Sequence, residues 1–365
     1  MTKTISGAAG FLVASLFFFP PIFSQEPRWA ILYVFGAVAL IYIRRIPVEA
    51  LLGLPFLAWA ALSLSWSPDP GEGFIGVTSI LVLGALFVVI RKMRHDHFPV
   101  IASLAILGAL ALTSIFPGLY GGFGNQNWIT EFVLLLSPFV LIWRWGLIPL
   151  AAAAFYLSWV NNSYTELPVL FVLLVVIAVR WRWWAGVLLA APAVVWIGWF
   201  PDALGPDLFS SLTSRAEVTI NSVHLWLESP IWGHGLGSFN YDYARFQESH
   251  LGLLSGTALF PVTVYVGAAH NEVLQCLVEL GLVGVGLFGL FALGLIRLPD
   301  TPVQWAASAS LLIGATLSLF AFPLQNPATA FVLITAMAIL SASRSPSVLS
   351  GFYQWSGLRS RLTGS

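Results

Sequence analysis

The chain has 365 residues, of which 58% are hydrophobic and 9% charged, with a formal net charge of zero. Soluble domains carry about 25% charged residues, so lipid is the solvent for most of this sequence, and its neutrality offers no electrostatic case for nucleic acid. The single cysteine, Cys276, excludes an intramolecular disulfide and argues against a thiolate metal site.

Apolar stretches of roughly 15–25 residues recur along the chain, the length that crosses a bilayer as a helix. In chain order they predict twelve spans, at about 5–23, 29–43, 47–65, 74–90, 98–116, 128–143, 146–160, 166–179, 183–200, 270–296, 303–321 and 327–342. The first follows Lys3 as a signal peptide would. No small-x-small cleavage site follows it and Pro20 and Pro21 intervene, so it reads as a retained span. Many of the sixteen Trp, among them Trp66, Trp128, Trp143 and Trp199, sit at the ends of apolar runs, the placement of an interfacial belt. The expected fold is an all-α polytopic membrane protein. Spans one to nine occupy 1–200, a large loop with short helices occupies 201–269, spans ten to twelve occupy 270–342, and a polar tail occupies 343–365.

The basic residues test this count. With the N-terminus inside and alternating spans, thirteen of the sixteen Lys and Arg fall in inside segments, and only Arg28, Arg215 and Arg245 fall outside. That bias predicts an even number of spans with both termini cytoplasmic. Asp69, Glu72, Glu166, Asp202, Asp207, Glu217, Glu228, Asp242, Glu248 and Glu272 map to the outer face. Arg215 and Arg245 therefore stand on an acidic face where topology does not require them.

The outer loop from Pro201 to His270 interrupts the apolar sequence. Its first part, Leu212–Leu227, has the pattern of an interfacial helix, and Asn240–His250 reads as a second helix. Between them, Pro230 and the glycines of Gly233-His234-Gly235-Leu236-Gly237 predict a tight bend. That glycine run lacks the preceding strand and the G-x-G-x-x-G spacing of a nucleotide loop. Its glycines serve either close backbone packing or approach to a headgroup. Residues 251–267 read as a loop skimming the membrane.

His270 opens the tenth span at the membrane–water boundary. An imidazole there can take a proton from a hydroxyl and release it to water; equally, it can cap the helix or anchor at the interface. Glu279, two to three turns on, is either a protonated or paired structural carboxylate or a functional one. A second outer element, Phe116–Trp128, carries Asn125, Gln126 and Asn127 among glycines. It is either a plain turn or the lining of a cavity, because irregular backbone at membrane depth must be covered or line one. Arg suits phosphate, since its planar fork donates two parallel hydrogen bonds. No Asp-x-Asp pair occurs in the outer loops, which favours arginine over metal as the holder of an anionic ligand.

These residues together resemble the O-antigen ligase superfamily, with its O-antigen polymerases and O-oligosaccharyltransferases. The resemblance rests on Trp66-Ser67-Pro68-Asp69-Pro70, on Gly121-x-Phe123-Gly124-Asn125-x-Asn127, and on Arg215, Trp226, Pro230, Gly233, Gly235, Gly237 and Phe239. It continues in His270-Asn271-x-x-Leu274 with Glu279, Gly281 and Gly284, and in Phe322-Pro323. The resemblance implies a glycan on undecaprenyl pyrophosphate as donor and a sugar or protein hydroxyl as acceptor. Transfer would occur on the periplasmic face of the bacterial inner membrane, by inversion, without metal or cofactor. His270 would activate the acceptor or organise the site. Arg215, and by proximity Arg245, would hold the pyrophosphate, with Asn125, Asn127, Asn271 and His234 as further substrate contacts. One departure stands out: family members often carry a Ser-Arg pair near the outer end of the span that begins around Glu166. Here the chain reads Asn161-Asn162-Ser163-Tyr164-Thr165-Glu166, with no Arg.

A different class, a transporter or flippase for an amphipathic anion, fits the apolar composition equally well. Such proteins place charged or broken segments at the membrane midplane, often in related halves. Here the ionisable residues gather at one face, which favours the enzyme.

Overall fold

The computed structural model describes residues 26–43, 46–93, 95–115, 126–143, 145–146, 149–150, 153, 206–254, 268–319 and 321–343. Every regular element among them is a helix: α1 (Glu26–Tyr42), α2 (Val48–Leu51), α3 (Leu54–Ser63), α4 (Pro70–Arg91), α5 (Phe98–Ile115), α6 (Gln126–Ile142), α7 (Pro206–Glu228), α8 (Phe239–Leu254), α9 (Glu272–Leu295), α10 (Pro302–Leu317) and α11 (Pro327–Ser341). The expected spans at 5–23, 166–179 and 183–200, most of that at 146–160, and the tail beyond Ser343 lie outside the described residues. The other eight spans coincide with α1 to α6 and α9 to α11. The span expected at 47–65 is divided by a turn at Leu52 and Gly53 into α2 and α3.

The helix starts follow local chemistry. Three of them place an oxygen-bearing cap directly before a proline: Asp69-Pro70, Thr301-Pro302 and Asn326-Pro327. The cap side chain accepts an otherwise orphaned N–H, and the proline, lacking one, fits the first helical position. Thr301 and Gln304 complete a reciprocal capping box.

Helix α11 is the centre of the bundle. Nearly every residue from Pro327 to Ser341 is buried, and it packs against α4, α6, α10 and α1. A helix apolar on all sides is an interior helix, and its sequence, PATAFVLITAMAILS, has no polar stripe. On one side α5, α6, α10 and α11 share a core around Ile106, Phe132, Leu135 and Phe139. On the other, α1, α4 and α11 pack through Leu32, Leu86, Phe87 and Phe331. Among the described helices, two are long and apolar enough to cross a membrane, α4 and α9. The 22 residues of α4 rise about 33 Å at 1.5 Å each, matching a hydrocarbon core of about 30 Å.

The two ends of α4 collect different chemistry. At the Arg91 end, one carboxylate oxygen of Glu49 accepts from Arg91 (3.1 Å) and from Arg297 (2.6 Å). Both arginines also reach the end of α11: Arg91 donates to the Ser341 carbonyl (3.3 Å) and Arg297 to that of Ser343 (3.4 Å). At the opposite end, Gly73 meets the loop between α7 and α8, and that loop leads to α9. Arg91 and Arg297, both assigned to the inside by charge, thus share one end of the bundle.

Candidate functional site

Helix α9 is broken. Gly281 has φ 65° and ψ −171°, so the helix divides into 272–280 and 282–295. A break releases hydrogen-bonding groups that lipid cannot satisfy. The loop 229–238 satisfies them. His234 N–H donates to Val278 O (2.9 Å) and Gly235 N–H to Glu279 O (2.8 Å); in return Leu282 N–H donates to Pro230 O (3.0 Å) and Val283 N–H to Ile231 O (3.3 Å). The indole of Trp59 takes the next carbonyl, Leu280 O, at 3.0 Å. For the i to i−4 pairs 282/278 and 283/279, donor and acceptor are thus both taken up by the loop.

This latch explains the glycine run. Gly233, Gly235 and Gly237 all have positive φ, at 70°, 101° and 80°, a region that favours glycine. A Cβ on Gly233 would strike the Glu279 carbonyl, one on Gly237 the backbone N of Gly73, and one on Gly281 the Ile231 carbonyl. Of the two roles open to these glycines from sequence, close backbone packing is the one visible here.

Glu279 is engaged by the loop. Its carboxylate accepts from Gly237 N–H (3.0 Å) and from the Gln275 amide (3.1 Å). The half-helix 272–280 therefore runs from Ser318, whose carbonyl accepts from Glu272 N–H at 2.8 Å, to the loop that covers Gly73. Glu279 sits beneath that loop with both carboxylate oxygens partnered.

His270 immediately precedes this half-helix. It is the one non-glycine residue with positive φ among the described residues, at 51°, an uncommon conformation that few side chains tolerate. Its ring packs on Phe322, with centroids 5.3 Å apart, and Phe322 in turn meets Trp128 edge-on at 6.2 Å. Burial first, and the Arg215 guanidinium second, push the imidazole below its ordinary proton affinity. His270 is therefore neutral at neutral pH, the form that accepts a proton. Helix α7, which carries Arg215, packs on α9, so residues 55 positions apart in sequence act on each other electrostatically.

The remaining expected residues are placed as follows. Asn271 caps α9, its side-chain oxygen accepting from Leu274 N–H at 2.9 Å. The Nε2 of His234 lies 2.9 Å from the Leu225 carbonyl and so carries the hydrogen; its Nδ1 lies 3.7 Å from Asp242. Burial raises the Asp242 carboxyl above the usual range, against the pull of His234 and a Ser238 hydrogen bond. Arg245 is exposed on α8 and acts on Asp242. Asn125 lies outside the described residues. Asn127 falls in the first turn of α6, next to Trp128, so the Gly/Asn element leads into the aromatic contact with Phe322. Among the described residues, no three His, Cys, Asp or Glu are grouped to hold a metal ion.

Gln275 and Gln325 also belong to this site, although neither is among the residues that the motifs mark. A signal for Gln275 is present: Asn271, Gln275 and Glu279 recur every four residues and so share a face of a helix whose only other charged residue is Glu272.

Fold and site together define a helical membrane protein with a neutral histidine, a neighbouring arginine and a latched loop at one end. Residues 146–289 match the family model described as O-Antigen ligase. The resemblance to the O-antigen ligase and polymerase superfamily is thus borne out, and with it the general character of an integral membrane protein of glycosyl-transfer type. No curated protein and no solved structure is found to match the chain.

Proposed function

We propose that the chain transfers a glycan from an undecaprenyl-pyrophosphate donor to an acceptor hydroxyl at the periplasmic face of the inner membrane, as a ligase or polymerase. The observation that carries this reading is the placement of Arg215 on α7, packed against α9, where its charge acts on His270. A cation close enough to weaken the imidazole's hold on a proton gives two partners of opposite duty. His270 removes the acceptor proton as the acceptor oxygen attacks the anomeric carbon. The bond to the pyrophosphate breaks on the far side, with inversion, and Arg215 stabilises the negative charge that leaves. Arg245, exposed on the neighbouring helix, is the second candidate for the phosphates. Asn125, Asn127, Asn271 and His234 remain candidate substrate contacts, although the His234 ring and the Asn271 oxygen already serve the loop and the helix start. The convergence of Arg91 and Arg297 at the far end of the bundle supports placing the His270 end outside, since basic ends face the cytoplasm. By the same reading both termini are cytoplasmic.

A transport reading draws on the broken helix α9, because transporters bind ions at such breaks. Here the released groups at 278–283 bond to the loop and to Trp59 rather than facing a cavity, which favours transfer. The test is reconstitution with a lipid-pyrophosphate glycan and candidate acceptors. His270→Ala and Arg215→Ala should each abolish transfer while insertion stays normal; full activity in both would overturn the site. Lengthening products identify a polymerase, and a single addition to lipid A-core or protein identifies a ligase.

A further inference from the structure

We propose that Gln275 is a positioning residue that holds the His270 ring in its half-buried pose against Phe322. The proposal rests on reading His270 as the reactive group. The Gln275 side-chain oxygen accepts two hydrogen bonds, from Ala269 N–H (3.2 Å) and from the Gln325 amide (3.0 Å). Its amide nitrogen donates to Glu279 (3.1 Å). The two contacts of the oxygen bear on His270 from different directions, and the third ties the amide to the loop.

Ala269 is the residue directly before His270. Fixing its N–H pins the chain where His270 takes its unusual φ of 51°. Such backbone conformations persist only where the surroundings over-determine them. Gln325 lies on the turn that presents Phe322, and that turn is anchored a second time. Leu324 N–H and Gln325 N–H both donate to one carboxylate oxygen of Glu272, at 2.8 and 3.2 Å. Glu272 and Gln275 are three residues apart, so one face of the half-helix grips the turn twice. Trp29 adds a third hold, its indole donating to the Gln325 carbonyl at 3.2 Å. Glu279 completes the set by accepting from Gly237 on the loop. One amide thus joins the strained backbone at His270, the turn that carries its aromatic cover, and the glycine latch.

The test reads His270 directly, without any transfer assay. Diethyl pyrocarbonate acylates only the neutral imidazole. Site-resolved mass spectrometry of the full-length protein in detergent, over about pH 5 to 8, gives both the accessibility and the protonation midpoint of His270. Exposed His224 serves as the internal reference. In Gln275→Met, His270 should label several-fold faster at the alkaline end, and its midpoint should rise toward the ordinary imidazole value as water reaches the ring. Gln325→Met removes one of the two donors to the Gln275 oxygen and should act in the same direction by less. His224 labelling should not change. An unchanged His270 rate and midpoint in folded Gln275→Met overturns the proposal; where that variant fails to fold, unchanged values in Gln325→Met do so. In the transfer assay, Gln275→Met should lower kcat by roughly 10–100-fold, the scale of a small misplacement, with donor KM unchanged because Arg215 is untouched. Altered labelling together with full transfer by His270→Ala would refute the functional reading and leave the positioning role standing.

Discussion

Replacing Gly281 by alanine tests the latch, and the structure sets the size of the effect. The residue sits at φ 65° and ψ −171°, a region essentially restricted to glycine, so strain alone should cost about 1–3 kcal/mol. The new Cβ would also collide with the Ile231 carbonyl and lie 2.7 Å from Gly233 N. Both obstacles are backbone, so no rotamer change relieves them. The loop must withdraw, and with it go the four hydrogen bonds at 2.8 to 3.3 Å between 230–235 and 278–283. At about 0.5–1.5 kcal/mol net for each bond, full opening plus strain comes to about 3–9 kcal/mol. Folded proteins are stable by only about 5–15 kcal/mol. Gly281→Ala should therefore melt several degrees lower in detergent and expose the loop around Gly233 to protease. Gly286→Ala is the control, because a Cβ there meets nothing within 4 Å and alanine is the better helix former. If Gly281→Ala and Gly286→Ala share the same melting temperature and the same protease resistance, the latch is not what holds this helix.

Trp59→Phe keeps most of the ring but leaves the Leu280 carbonyl without its 3.0 Å donor; thermal unfolding should register a loss of about 1–3 kcal/mol. Glu49→Ala strips the shared carboxylate from Arg91 and Arg297. Both half-buried arginines then lose this shared carboxylate, so the melting temperature should fall and Glu49→Gln should recover only part of it. The pH dependence follows from the depressed proton affinity of His270. Below the ordinary value of about 6.5 the unfolded chain binds a proton that the folded site refuses, so this group's contribution to stability falls as pH drops from there toward the folded pKa. Arg215→Ala removes a positive charge and should move the His270 midpoint up, toward the ordinary value; a downward or absent shift in pH-resolved labelling would separate the two residues.

The sequence by itself determined the membrane class and most of the element order. Long apolar runs have no other favourable solvent, and caps such as Asp69-Pro70 and Asn326-Pro327 mark helix starts through contacts within a few residues. Charge bias marked the same face for Arg215 and His270, and motif order gave them a family. What composition could not show is which polar groups meet. The helix break at Gly281 is invisible to an apolar average because 270–296 reads as one hydrophobic run. It becomes legible only once the loop carbonyls of Pro230 and Ile231 are seen to replace the helix's own. The division of 47–65 at Gly53 escaped for the same reason.

The glycine run shows where local and long-range information part. Its bend was readable, because glycine is what a positive φ favours. Its purpose was not, since the atoms it must clear belong to Ser67, Gly73 and Glu279 in distant segments. The same holds for His270. Sequence supplied an imidazole at a membrane boundary and left it open between base and anchor. Its neutrality comes from burial and from Arg215 on another helix, and around its ring and backbone stand Phe322 and the Gln275 hydrogen bonds to Ala269 and Gln325. Residue type and spacing are fixed along the chain, whereas proton affinity and orientation depend on what packs around a group, which only tertiary contacts decide.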